Sequence, residues 1–214
     1  DIMLFFSALR LTTVANATVI GSCQPLILLF IAGRIFGERP RRYDWVLAVV
    51  AMGGVAIVMF GSTGVQGWSL SGDLLSIATV VAWTLYFVFS KLSTRKIEAS
   101  QYTGATALIC ALFATPFALA SGQLFNMPSG NAWIWLFILS IGPGFTSHML
   151  MNWALAHIPV WFGSTLTLAI PVTATVMAWV FLGEDVVALQ FLGMGIVLFA
   201  LGFIVIGQSN TARR

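Results

Sequence analysis

Seven long apolar runs restrict what this chain can become more than any other feature. They are Val14–Phe36, Asp44–Phe60, Leu74–Ser90, Gln101–Ser121, Ala132–Ala156, Val160–Leu182 and Leu189–Gly207, each 17 to 25 residues long. A helix needs ~20 residues to cross the hydrocarbon core. At that length only a helix satisfies its own backbone in lipid. Charged residues make up 8% of the 214 and hydrophobic ones 59%, where a soluble domain carries about 25% charged. The fold class is therefore all-α and polytopic, with seven complete spans. An eighth run, Ile2–Leu11, is too short to cross.

The few charges sort by side. Along alternating loops, one face of the membrane holds Arg34, Arg39, Arg41, Arg42, Lys91, Arg95, Lys96, Arg213 and Arg214, and the other holds Arg10. Such a split marks the basic side as cytoplasmic. It places the C-terminal tail there and the loops Gly61–Gly72 and Gly122–Asn131 outside. The net charge of +3 is thus a topology signal and not a nucleic-acid patch. Cys23 and Cys110 fall inside spans and read as buried apolar thiols. No metal-ligand spacing, nucleotide-binding loop or hydrolase motif is present, so no metal and no cofactor is expected.

A punctuation pattern occurs twice. Ala8-Leu9, Pro25 and Gly37-Glu38 recur as Ala154-Leu155, Pro171 and Gly183-Glu184, each 146 residues on. Each proline interrupts an apolar run, and each Gly-Glu ends one. The second copy lies five spans after the first, so the two cross in opposite directions, as in an inverted repeat. Residues 1–60 then form the end of a first repeat, 61–71 an extracytoplasmic loop, 72–207 a second repeat and 208–214 a cytoplasmic tail. Carrying the offset back from Gly72-Asp73 implies that about two and a half helices of the first repeat precede Asp1.

The stretches ALRLTTVANATVIGSCQPLILLFIAGRIFGERP (8–40) and ALAHIPVWFGSTLTLAIPVTATVMAWVFLGED (154–185) resemble the EamA family of the drug/metabolite transporter superfamily. GDLLSIATVVAWTLYFVFSK (72–91) is similar to the opening helix of that family's second repeat. The resemblance implies a ten-helix inner-membrane carrier of two inverted five-helix repeats, often an exporter of amino acids or other small metabolites.

Candidate site residues follow from polarity inside the spans. Pro25 and Pro171 each remove a backbone donor, and read either as kinks facing a cavity or as packing kinks. Asn16, Ser22 and Gln24 share the helix of Pro25; Thr165, Thr167, Thr173 and Thr175 surround Pro171. His148 and Asn152 are one helical turn apart, just after a helix break expected at Gly142-Pro143-Gly144. Trp83 and Tyr86 are three apart. These groups either line a polar-aromatic cavity or tie helices together. Glu38 and Glu184 are helix-end carboxylates that gate the two ends, pair with Arg39, Arg41 or Arg42, or anchor the interface. A carboxylate at a helix C-terminus opposes the dipole, so Glu38 needs a cation or a hydrogen bond. Asp1, in register with the bilayer centre, is the ion-coupling candidate. Trp68, Trp133, Trp135 and Trp161 read as interfacial belt residues, and Gly53, Gly54, Gly193, Gly195 and Gly202 as close helix contacts.

The expected function is a secondary permease or exporter of small metabolites that alternates access across the bilayer. Its expected partners are a small-molecule substrate and lipid, with no nucleic acid, and its oligomeric state is unassigned. The competing classes are an integral-membrane enzyme acting on lipid, for which clustered ionisable residues are missing, and a non-transporting partner or sensor.

Overall fold

The computed structural model describes residues 1–62, 69–122, 127–183 and 185–212. Glu184 and Trp68 lie outside the described residues. Every regular element among those described is helical. In chain order they are α1 (Ile2–Ala8), α2 (Val14–Gly21), α3 (Gln24–Phe36), α4 (Arg42–Ser62), α5 (Leu70–Ser93), α6 (Ala99–Ala120), α7 (Ala132–Leu139), α8 (Ser147–His157), α9 (Val160–Leu166), α10 (Ile170–Met177) and α11 (Ala188–Ala212). Among the described residues, seven segments are long and apolar enough to cross a membrane, and Val14–Phe36 and Val160–Leu182 keep the ends read from sequence. The chain is an all-α polytopic membrane protein.

It divides into two compact units, residues 1–86 with 159–214, and residues 87–158. In the first, α4 and α11 run together. Helices in lipid gain little from hiding apolar surface from one another, so close backbone approach matters more. Gly54 and Gly193 supply it: a Cβ on Gly193 would sit 2.7 Å from the Gly54 carbonyl oxygen. Gly53, Gly195 and Gly202 do not share this role, since added Cβ atoms there would meet nothing within 4 Å. Their helix faces simply point elsewhere. Val55, Val58, Met194 and Val197 extend the contact into a core that also holds Leu168 and Val172.

Two polar clasps fix the ends of this unit. Arg41 donates to both oxygens of Asp44, 2.9 Å from Oδ1 and 3.1 Å from Oδ2, and its Nη1 reaches the Gly207 carbonyl at 2.6 Å. The Asp44 hydrogen bond holds the Arg41 guanidinium above its ordinary pKa. At the other end Thr12 donates to Asp73 at 2.8 Å. Gly72 lies so near that a Cβ would be 2.7 Å from the Thr12 backbone nitrogen. Backbone cannot yield as a flexible side chain can. Gly72→Val is therefore expected to cost about 2 kcal/mol or more, read as a lower thermal midpoint in lipid nanodiscs.

The second unit is knit by Asn152. Its Oδ1 accepts from Ser90 at 2.6 Å and its Nδ2 donates to Thr103 at 2.9 Å, joining α8 to α5 and α6. Lys91, expected only as a topology charge, is buried and donates to the carbonyls of Leu155 and Ile158 at 3.2 and 2.5 Å. A cation there complements the C-terminal end of α8. Gly142-Pro143-Gly144 does not break the chain's helix as expected. It passes through as a π-helical stretch, Ser140–Thr146, in which Thr146 Oγ1 donates to the Ile141 carbonyl at 2.6 Å.

Three further expectations change. Neither cysteine is buried: Cys23 is half-buried and Cys110 exposed on its helix. Trp161 is no belt residue, being only 3% exposed in the first turn of α9. Trp133 and Trp135 are exposed, as belt residues are.

Candidate functional site

Both proline-bearing spans are interrupted, and in each the proline starts a new helical segment. In the first, Thr13 begins α2 by accepting from the Asn16 backbone at 3.1 Å. The helix ends at Gly21, Ser22 and Cys23 turn, and α3 opens with Pro25 in its first turn. Proline suits that position, because its missing N–H is not needed there. Its cost falls four residues back. Pro25 has no N–H to give the Gly21 carbonyl. In the second span α9 passes through a 3-10 turn, Thr167–Ala169, into α10, with Pro171 in its first turn. The Thr167 carbonyl, also four residues before a proline, is satisfied by the Ile170 N–H instead. The glycine of each Gly-Glu pair ends its span in the same left-handed conformation, Gly37 and Gly183 both at φ 69°. That conformation costs glycine little and other residues more.

A cavity of about 280 Å³ lies in the first unit where these breaks meet. Gly21 and Ser22 border it from one broken span, Thr167 and Pro171 from the other, and Ser76 and Trp83 from α5. Phe5, Phe6, Val80 and Leu168 make most of the remaining wall apolar, and Asp1 is its single acidic or basic residue among those described. Its size is just under the ~300–1,000 Å³ typical of small-molecule pockets.

Of the residues picked from sequence, the structure brings Asp1, Ser22, Trp83, Thr167 and Pro171 to this cavity. Gln24 and Pro25 are fully or nearly fully buried beside the break but are not part of its wall. Among the described residues, the Gln24 amide makes no hydrogen bond with either side-chain atom. Asn16 lies in the first turn of α2, its side chain 3.4 Å from the Thr12 hydroxyl. Tyr86 does not border the cavity. His148 is exposed in the second unit, and Asn152 is the buried helix tie described above. Sequence reasoning missed Ser76 and Thr79. Their spacing with Val80 and Trp83 is that of one helix face, and all four line the cavity.

The end of the unit that bears the arginines is closed. There α3 packs along α9, with Leu28, Leu29, Ala32, Val160, Ser164 and Thr165 all buried. Glu38, just past the end of α3, receives the Val160 backbone N–H at 2.9 Å on each carboxylate oxygen. This is the hydrogen bond its position demanded. It places the charge at the N-terminus of α9, where a helix dipole favours an anion. Arg41, one of its expected partners, is committed to Asp44. The matching role expected of Glu184 falls outside the described residues.

A solved structure described only as a protein crystal structure is similar over 93% of this chain and 71% of its own, with TM-score 0.76 and 23% identity. Its likeness speaks for the fold. The uncharacterized transporter YetK of Bacillus subtilis (strain 168) is 24% identical over 87% of this chain and 58% of its own length. The aromatic amino acid exporter YddG of Ancylobacter novellus is 27% identical over 65% of this chain and 48% of its own. The chain thus spans about half the length of these relatives. The profile of the EamA-like transporter family matches residues 2–60 and 70–206, almost the whole sequence, and the chain belongs to that family.

Proposed function

We propose that the chain forms the solute path of a secondary permease in the inner membrane, moving small metabolites by alternating access. The observation that carries this reading is the cavity at the junction of two broken helices, with packed helices and the Glu38 contact at the arginine-bearing end of the unit. Broken helices near mid-membrane are where transporters hold their substrates. With the arginine-bearing side cytoplasmic, this arrangement is the outward-facing state. The inverted repeat read from sequence supplies the reverse motion: the opposite pair of half-helices, α2 and α10, would close as α3 and α9 part. Amino acids or related compounds are the favoured substrates, supported by the likeness to YddG.

Gly21→Phe tests the reading. Gly21 borders the cavity, and an added Cβ meets nothing within 4 Å, so the ring has room to project without disturbing the packing. The full chain in proteoliposomes is expected to exchange at least one of a panel of labelled amino acids and amines. The variant is expected to lose that flux by about tenfold or more, a step of about 1.4 kcal/mol, with an unchanged thermal midpoint. Unchanged flux in the variant would place the solute path elsewhere.

A further inference from the structure

Four of the five hydroxyls in the cavity wall, all but that of Thr18, have already spent their protons. Ser22 donates to the Thr18 carbonyl at 2.8 Å, Ser76 to Gly72 at 3.0 Å, Thr79 to Leu75 at 2.9 Å and Thr167 to Ser164 at 2.6 Å. A hydroxyl bonded in this way can only accept from a ligand. Among the described residues, no Lys, Arg or His lines the cavity. Trp83 adds an aromatic ring, and an indole face attracts cations. Asp1 also borders the cavity, and its side-chain carboxylate is a further acceptor.

We propose that this cavity selects solutes by their donors: it takes an apolar or aromatic body bearing a protonated amine, and discriminates against a carboxylate. An ammonium brings three donors to a wall where acceptors outnumber the donors, the Thr18 hydroxyl and the Trp83 indole N–H. A carboxylate brings only acceptors, and leaving water without a partner is costly. The proposal rests on the permease reading for its biological sense, and on the wall alone for its chemistry.

The test uses three probes with one phenyl ring and two-carbon spacing: phenethylamine, phenylalanine and 3-phenylpropionate. Binding to the full chain in nanodiscs is measured by calorimetry at neutral pH. Phenethylamine is expected to bind about tenfold or more tighter than 3-phenylpropionate, with phenylalanine between them. Thr79→Val, at a half-buried position, is expected to weaken phenethylamine several-fold and leave 3-phenylpropionate unmoved. Equal or tighter binding of 3-phenylpropionate overturns the proposal. So does an equal loss for both probes in the variant, or no phenethylamine binding by protein with a normal thermal midpoint. The two readings fail separately. Amine-selective binding without flux in proteoliposomes sinks the permease and keeps the selectivity; flux of 3-phenylpropionate at a rate equal to or above that of phenethylamine does the reverse.

Discussion

Gly193→Val is expected to be the most damaging single substitution in the first unit. Even the first carbon of the new side chain would fall 2.7 Å from the Gly54 carbonyl oxygen and 2.8 Å from the Val58 backbone nitrogen. Neither neighbour is a flexible side chain, so α4 and α11 must separate. Separation loosens the contacts of Val55, Val58 and Val197 as well. Overpacking typically costs about 1–3 kcal/mol, and a backbone obstruction puts this variant at the upper end. Leu168, which borders the cavity, packs in the same core, so solute binding is expected to fall with stability. Gly195→Val is the control: it adds the same side chain on the same helix, where nothing stands within 4 Å. Thermal unfolding in nanodiscs should show Gly193→Val lowered by many degrees and Gly195→Val nearly unmoved. Equal midpoints would mean that the two helices do not approach this closely.

The second large effect is expected at Glu38. Replacing it by alanine strips both acceptors from the Val160 N–H and removes the anion from the start of α9. Loss of a helix-capping side chain costs about 0.5–2 kcal/mol, and the dipole contribution adds ~0.3–1 kcal/mol at a partly exposed site. Spent on the closed end alone, that is enough to shift a two-state equilibrium by tenfold or more toward the state open to the arginine side. Glu38→Gln keeps one acceptor and should fall between. Ser164 reports the change, being 0% exposed where α3 meets α9. With both native cysteines replaced, a Ser164→Cys reporter is labelled by a water-soluble maleimide. The Glu38→Ala background is expected to raise that labelling rate about tenfold. An unchanged rate would reduce Glu38 to an ordinary helix cap.

The spans are legible in sequence because charge and glycine mark where lipid ends. Gly37 ends α3 where its Gly-Glu pair was read as ending the run, in a left-handed conformation, and Gly183 does the same for its own span. The cavity is less legible, for a physical reason. Asn16 and Gln24 share the Pro25 span, and eight residues of continuous helix at ~100° per residue would bring them to roughly one face. The turn at Ser22 and Cys23 interrupts that rotation, so Asn16 ends near Thr12 and Gln24 inside the packing. Which face meets a neighbour is also a tertiary matter. Asn152 looks like a site residue by polarity, yet Ser90 and Thr103 use its two hydrogen-bonding groups. The α5 stripe was readable, because Ser76, Thr79 and Trp83 follow helical spacing, whereas its direction was not.

That Asn152 tie also bears on how the protein is made. The segment Ala132–His157 has the lowest mean hydropathy of the seven spans, 1.4. An amide in the bilayer with no partner is costly, so this helix is the least suited to enter lipid alone. Its partners Ser90 and Thr103 precede it in the chain and emerge from the ribosome first. By the time Asn152 leaves the insertion machinery, both hydroxyls are already in the membrane to receive it. The order of the helices along the gene thus doubles as an order of assembly, with the neediest segment inserted after the groups that make it welcome.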